Sequence, residues 1–252
     1  MKTLIAANWK MNTNLSEAQQ LTRDLLSSIN NDAHVETVIC PPFVYLQEIS
    51  NLLKGKPIKV GAQNVYFEEK GAYTGEVASG MLSDFCEYVI IGHSERRQFF
   101  GDTNEIVNKK LRSVIEHELT PILCVGENLD ERENGDAENV VGAQLEESLS
   151  GIQKTVNLVV AYEPVWAIGT GKAATSDIAE DIMRFIRSKL AAIYDNPFAD
   201  NITLLYGGSV TADNVKDYLS QANINGALVG GASLDAQKFQ DIIDRAGDIA
   251  PL

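Results

Sequence analysis

Three side chains that can carry acid–base chemistry each follow a short apolar run. Lys10 follows LIAANW, His93 follows VIIG and Glu163 follows VVAY. Such runs predict strands that are buried on both faces, so each polar residue would lie at the end of a strand. A carboxylate, an imidazole and an ammonium together suit removal of a proton next to a carbonyl group. The carboxylate would act as the base, and the other two groups would stabilise the negative charge that develops on oxygen.

Each of these residues also has a plainer interpretation. Most lysines are solvated surface charges, and Lys10 has a rival chemical role as a Schiff-base nucleophile. A lone histidine among apolar residues is usually a hydrogen-bonded core residue, and Glu163 could form a structural ion pair. His93, however, directly precedes a predicted helix start, where the helix N-terminus disfavours imidazolium. We therefore expect a neutral His93 ring that donates a hydrogen bond to a carbonyl oxygen.

Two Gly-Gly pairs follow the last two apolar runs, in YGGSV (206–210) and LVGGAS (228–233). Glycine lets backbone N–H groups approach an oxyanion closely, and Ser209 adds a hydroxyl donor. One pair alone would indicate only a tight turn. Two pairs on consecutive final strands favour a phosphate site, which is where eight-stranded α/β barrels bind phosphate.

The segment after Glu163, PVWAIGTGK (164–172), combines an apolar stretch with two glycines. It predicts a lid over residues 167–171 that closes over the site and excludes water. The alternative is a packed surface loop. We favour the lid because exposure of a large apolar side chain such as Trp166 would otherwise be unexplained.

Composition excludes several classes of protein. Lys and Arg number 21 against 35 Asp and Glu, a net charge of −14 that disfavours nucleic-acid and membrane partners. The three cysteines and three histidines are scattered, which predicts neither a disulfide framework nor a metal site. The sequence has neither a signal-peptide core at its start nor an apolar run of about 18 residues. We expect a soluble, cytoplasmic protein.

Eight apolar runs alternate with amphipathic stretches, with about 31 residues per unit, which is the size of a βα unit. This alternation predicts an α/β fold, a closed (β/α)8 barrel in which residues 1–252 form a single domain. The open doubly wound sheet is disfavoured because no GxGxxG follows the first run and no Walker A motif occurs. Helices are predicted to begin after Asn14, Thr175 and Thr211. The predicted strands are 4–9, 35–40, 58–61, 88–92, 121–125, 158–162, 202–206 and 227–229.

Five motifs, in this order along nearly the whole chain, resemble the triosephosphate isomerase family: NWKMN (8–12), GHSERR (92–97), AYEPVWAIGTGK (161–172), YGGSV and LVGGAS. The resemblance implies a TIM barrel and the interconversion of dihydroxyacetone phosphate and glyceraldehyde 3-phosphate through an enediol(ate). Such an enzyme is an aldose–ketose isomerase, an intramolecular oxidoreductase that needs no cofactor. It would serve glycolysis and gluconeogenesis.

The resemblance also implies roles for individual residues. Glu163 would be the base, His93 would act at the substrate oxygens and Lys10 would be the electrostatic clamp. Glu95 and Cys124 match supporting positions. The substrate-binding residues would be Asn8, Lys10, Gly169, Ser209, Gly230 and Gly231.

Residues 63–76, QNVYFEEKGAYTGE, form a long segment without a helical pattern, and such loops are usually functional. In the family this loop docks on a second subunit, and the residue that matches Thr74 reaches the partner's site, so the resemblance implies a homodimer. One departure is Asp102, where many members have Glu. It puts a supporting contact in doubt but not the chemistry.

Two other functions would use the same residues. A sugar-phosphate aldolase would form an imine at Lys10, and a non-catalytic sugar-phosphate-binding protein would need only the glycine turns. The presence of Glu163, His93 and Lys10 together favours the isomerase.

Overall fold

The computed structural model describes residues 2–29, 34–154, 157–167 and 174–249. Eight parallel strands close into a barrel in chain order, with β1 paired to both β2 and β8. The predicted (β/α)8 barrel is therefore confirmed, and every predicted strand end lies within one residue of the observed one. The strands are β1 (Thr3–Asn8), β2 (Val35–Cys40), β3 (Ile58–Ala62), β4 (Tyr88–Ile91), β5 (Thr120–Val125), β6 (Val159–Tyr162), β7 (Thr203–Tyr206) and β8 (Gly226–Val229).

Helices connect the strands on the outside of the barrel. The α-helices are α1 (Leu15–Ser28), α2 (Leu46–Leu53), α3 (Ser79–Leu82), α4 (Ser94–Phe100), α5 (Asn104–Glu116), α6 (Leu129–Glu133), α7 (Ala137–Ser148), α8 (Ser176–Ile193), α9 (Asn196–Asp200), α10 (Val215–Leu219) and α11 (Ala236–Gly247). Short 3-10 turns cover Phe43–Tyr45, Val165–Ala167 and Gly231–Leu234.

Two of the three predicted helix starts are confirmed. Asn14 caps α1 in a capping box with Glu17, and Thr175 caps α8. The start predicted after Thr211 is wrong, because α10 begins only at Val215. The Thr211 N–H donates to Asn214 Oδ1 at 2.8 Å, which closes a turn ahead of the helix.

The strands are apolar on both faces because each face is buried. Ala6, Val38 and Ile90 belong to a cluster formed by one face of the strands. The neighbouring strand residues, such as Ile39 and Ile91, belong to the larger cluster that the strands form with the helices. Full burial of each such aliphatic side chain stabilises the fold by about 1.5–3 kcal/mol. This double burial fixes the strand register and hence the position of the residue that follows each strand.

Two further observations concern the cysteines and the helices. Cys40, Cys86 and Cys124 are free and buried. Among the helices in the described ranges, none combines the length and apolar character that a membrane crossing needs.

Candidate active site

A cavity of about 460 Å³ lies at the C-terminal ends of the strands. It brings together most of the residues that the sequence analysis singled out, although these residues lie far apart in the sequence, from Asn8 near the start to Gly231 near the end. The described lining includes Asn8, Lys10, His93, Glu163, Ser209, Gly230 and Gly231. The cavity is therefore the place where a carboxylate, an imidazole and an ammonium meet two glycine turns.

Glu163 is buried and held by residues that follow β4. The Ser94 N–H donates to Oε2 at 2.9 Å, and the Ser94 hydroxyl donates to Oε1 at 3.1 Å. His93 Nε2 lies 3.0 Å from Oε1. Burial raises the pKa of Glu163, but the contacts with His93 and Ser94 outweigh it and lower the net pKa below its ordinary value. The carboxylate is therefore charged, and it is bound to the residues that follow β4.

His93 caps the helix α4, as its position before Ser94 predicted. The Glu95 N–H donates to His93 Nδ1 at 3.2 Å, and a ring nitrogen accepts such a bond only when it carries no proton. This geometry fits a neutral ring with its proton on Nε2. Burial lowers the pKa of His93, whereas Glu163 and Glu95 raise it, and the net pKa lies above its ordinary value. Glu163 in its present position is the main cause that raises the pKa of His93. Because Glu163 would move during turnover, a neutral His93 ring in the reaction stays a prediction.

Lys10 follows β1 in a left-handed backbone conformation, with φ of 53°. Its N–H donates to Asn8 Oδ1 at 3.0 Å, and its carbonyl accepts from Gln63 Nε2 at 2.9 Å. The ammonium forms an ion pair with Glu95 at 2.7 Å. A Cβ atom on Gly230 would lie 3.3 Å from Lys10 Cε, so the lysine side chain runs alongside this glycine turn.

The glycine turns after β7 and β8 present backbone donors. Within the described ranges, the N–H groups of Ser209, Gly230 and Gly231 have no acceptor. The Ser209 hydroxyl donates to the carbonyl of Ala167 at 3.2 Å, which ties the β7 turn to the start of the predicted lid. Gly169 and most of that lid lie outside the described residues.

The two residues predicted to support the site, Glu95 and Cys124, lie next to the residues predicted to be catalytic. Glu95 bonds to Lys10 and places Oε2 3.6 Å from His93 Nδ1. Cys124 is buried on β5, and burial together with the negative charge of Glu163 raises the pKa of its thiol well above the ordinary value. Cys124 is therefore a neutral neighbour of the carboxylate.

Asp102, whose shorter side chain put a supporting contact in doubt, forms two charged hydrogen bonds. Its Oδ2 accepts from Arg96 Nε at 3.0 Å and from Lys110 Nζ at 2.6 Å. Lys110 also donates to Asn64 Oδ1 at 2.9 Å. This largely buried network joins α4, α5 and the segment after β3.

Thr74, the predicted dimer-contact residue, is exposed and does not line the cavity of its own chain. A second cavity of about 280 Å³ lies beside the first and is lined by Lys10, Met11, Glu95 and Phe100, among others. Met11 is 96% exposed and Phe100 68% exposed, so apolar side chains surround this opening.

The sequence analysis missed several residues that hold the site. Ser94 was assigned only to a helix start, although its neighbour His93 was a signal for a role. Glu127 is fully buried and accepts hydrogen bonds from Tyr162 at 3.0 Å and from Trp166 at 2.8 Å. Trp166 is thus partly buried rather than exposed, so the reason that favoured a lid does not hold as stated.

Comparison with known proteins gives a consistent result. The family model for triosephosphate isomerase matches residues 3–246. A protein of Clostridium tetani named triosephosphate isomerase is 49% identical over 246 residues, which cover 96% of each chain. Proteins of the same name from Dehalococcoides mccartyi strain BAV1 (48% identical; 98% of this chain, 97% of the other) and Dictyoglomus turgidum (47%; 96% and 98%) are similarly close. The chain therefore belongs to the triosephosphate isomerase family.

Proposed function

We propose that the chain interconverts dihydroxyacetone phosphate and glyceraldehyde 3-phosphate, with Glu163 as the base. The observation that carries this proposal is the cavity that gathers Glu163, His93 and Lys10 beside two glycine turns, where the N–H groups of Ser209, Gly230 and Gly231 have no acceptor among the described residues. Family membership supports the same reaction. The chemistry is proton transfer between adjacent carbons, which these groups can perform themselves.

Glu163 would remove a proton from the carbon next to the carbonyl group, and the electron pair would move onto the carbonyl oxygen. This gives an enediolate, whose negative charge the Nε2–H of His93 and the Lys10 ammonium would stabilise. His93 would then exchange a proton between the two substrate oxygens. Glu163 would return its proton to the neighbouring carbon, so that no atom is gained or lost.

Before it can act, Glu163 must release its present partners. Both carboxylate oxygens are engaged, by Ser94 and by His93, and these contacts lower the pKa of the base. A weaker base abstracts protons less readily. We infer that the substrate draws the carboxylate away from Ser94 and that the drier surroundings then strengthen it as a base.

The phosphate would bind to the N–H groups of Ser209, Gly230 and Gly231, with Gly169 assigned by resemblance alone. Within the described lining, Lys10 is the only cationic side chain, and Glu95 already neutralises part of its charge. Backbone donors can hold an anion without adding further cationic side chains. Asn8 would keep the Lys10 backbone in the conformation that aims the ammonium at the substrate.

The test of the base is a variant that shortens its side chain. Glu163→Asp should lower kcat by roughly a hundredfold while KM changes little, because a displacement of about 1 Å has an effect of this size. Solvent deuterium uptake into the triose phosphate should fall in parallel. Unchanged turnover would refute the role, and borohydride trapping of substrate on Lys10 would favour the aldolase instead.

We also propose that two single-domain copies form a homodimer, with Thr74 of one subunit inserted beside Lys10 of the other. The exposed apolar side chains around the second cavity support this, since patches of this kind usually mark interfaces. Other exposed large apolar side chains of the described residues are Val44, Tyr73, Met81 and Phe99. Sedimentation equilibrium tests the dimer, and Thr74→Arg should shift it to monomers.

We place the reaction in the cytoplasm, because its phosphorylated three-carbon substrates are those of glycolysis and gluconeogenesis. Cell fractionation with an activity assay tests this location. Activity confined to another fraction would refute it.

A further inference from the structure

Gln144, on the outer helix α7, bonds to both backbone groups of one glycine. Its Oε1 accepts from the Gly126 N–H at 2.8 Å, and its Nε2 donates to the Gly126 carbonyl at 3.1 Å. Gly126 directly follows β5. A side-chain amide that pairs in this way with one residue acts like a neighbouring strand and fixes the orientation of that residue.

Gly126 in turn packs directly on the backbone of Glu163. A Cβ atom at position 126 would lie 1.8 Å from the Glu163 carbonyl oxygen and 2.7 Å from the carbonyl carbon. The space beside Gly126 is therefore filled by the main chain that carries the base. Only glycine allows this approach, so a shift of Gly126 would be transmitted directly to Glu163.

Hydrogen bonds on either side of Gly126 complete the support. The Glu163 N–H donates to the Val125 carbonyl at 2.8 Å, and the Val165 N–H donates to the Glu127 carbonyl at 3.1 Å. The three consecutive residues at the end of β5, 125–127, thus hold the main chain around Glu163. When the carboxylate leaves Ser94, this main chain is the fixed point about which the side chain turns.

A cavity beside Gly126 leaves space into which the main chain of this glycine could shift. A cavity of about 310 Å³ is lined by Gly126, Gln144, Ser94, Glu163 and other residues. Because there is empty volume beside Gly126, packing alone does not restrain it on that side. The two hydrogen bonds of Gln144 therefore supply restraint that close packing would otherwise give.

We propose that Gln144 is a positioning residue for the base, acting through Gly126 without contact to the substrate. The inference rests on the proposed function, since it assumes that Glu163 abstracts the proton. According to this proposal, Gln144 influences kcat although it lies on an outer helix of the barrel. The phosphate would be held by turns after β7 and β8, so Gln144 should have little influence on binding.

The test replaces Gln144 by a side chain of similar size that forms neither bond. Gln144→Met should lower kcat by about tenfold, since a displacement of a fraction of 1 Å is enough for such a loss. The KM for glyceraldehyde 3-phosphate and the inhibition constant of inorganic phosphate should stay within about twofold of wild type. Gln144→Glu keeps the acceptor for the Gly126 N–H and should lose less activity, and it serves as the test if the Met variant does not fold.

A matched control removes two similar bonds at the far end of the same helix, together with one bond that Arg112 Nε donates to Asn108 Oδ1 at 2.9 Å. Asn108 Nδ2 donates to the Ser148 carbonyl at 2.8 Å and to the Ser150 carbonyl at 3.0 Å. Asn108→Leu should lower the unfolding midpoint but leave kcat unchanged. The inference is overturned if folded Gln144 variants keep kcat within twofold, if phosphate inhibition weakens as much as kcat falls, or if Asn108→Leu loses as much. An inactive wild-type protein would instead overturn the proposed function.

Discussion

Replacing Asp102 by alanine should destabilise the protein strongly, although the residue lies outside the candidate active site. The Asp102 side chain is 5% exposed and that of its partner Lys110 is 3% exposed. Burial lowers the pKa of Lys110, and the contact with Asp102 opposes this effect. Without the carboxylate, Asn64 would be the one hydrogen-bond partner left to the buried ammonium among the described residues, and Arg96 would lose its bond to Asp102.

The expected size of the effect follows from the burial of the pair. Removing one partner of a buried ion pair costs about 3–5 kcal/mol, and the remaining bond from Lys110 to Asn64 favours the lower end, about 3 kcal/mol. For a chain of this length, such a loss lowers the thermal midpoint by roughly 6–12 °C. Asp102→Glu keeps the carboxylate and should cost less. The double variant Asp102→Ala/Lys110→Met should recover part of the stability, because it leaves no buried ammonium without a partner, whereas the Arg96 side chain is 27% exposed and can be hydrated.

The assay is urea unfolding at pH 7 and fixed protein concentration, with circular dichroism as the signal. The control is Asp248→Ala, which removes the exposed ion pair with Lys216 at 2.8 Å. Exposed pairs contribute little, so this variant should unfold at nearly the wild-type midpoint. Equal midpoint shifts in Asp102→Ala and Asp248→Ala would refute the reasoning. So would a double variant that is less stable than Asp102→Ala alone.

Three further predictions concern the cavity. The contacts that lower the pKa of Glu163 stabilise the fold above the ordinary carboxyl pKa, and this stabilisation is lost as pH falls through the lowered value. Glu163→Gln should therefore show a smaller fall in unfolding midpoint on acidification, and an unchanged fall would contradict this. Lys10→Met should raise KM and lower kcat, the latter by roughly a hundredfold or more, in a coupled assay; kinetics like those of wild type would exclude the clamp. Asn214 bonds to the Ser209 carbonyl at 3.1 Å. Asn214→Ala should thus lower kcat/KM by about tenfold for glyceraldehyde 3-phosphate but not for glyceraldehyde. Equal losses with both substrates would reject a role in phosphate binding.

The barrel could be predicted from sequence because most strand residues are buried on both faces of the sheet. Tyr88–Ile91 and Val159–Tyr162, for example, are buried and apolar throughout, and the ends of all eight strands were predicted to within one residue. Polar residues such as Lys10 and Glu163 then stand out at the strand ends. The start of α10 was not predicted because the turn that delays it depends on the side chain of Asn214, three residues after the apparent cap.

The residues that hold the site were harder to predict because their partners are distant in the chain. Gln144 is 18 positions from Gly126, and Ser94 is 69 positions from Glu163. Gln144 has no local pattern that distinguishes it from an ordinary helix residue, and the only local signal for Ser94 is its neighbour His93. Asp102 was judged by its length alone, yet its contact depends on where α4 and α5 place Arg96 and Lys110.

Residues that would contact the substrate were predicted and residues that support them were missed, because the two groups meet different physical requirements. A group that touches the substrate must lie at the rim where the strands end, so topology restricts it to few positions and to few residue types. A group that supports such a residue needs only to reach it. Gln144 reaches Gly126 from an outer helix, and Ser94 reaches Glu163 from the end of β4, two strands away from β6. Because Glu163 has to leave Ser94 in order to react, its side chain cannot be held rigidly throughout the reaction. Restraint must then fall on its main chain, which is where Gly126 and Gln144 act.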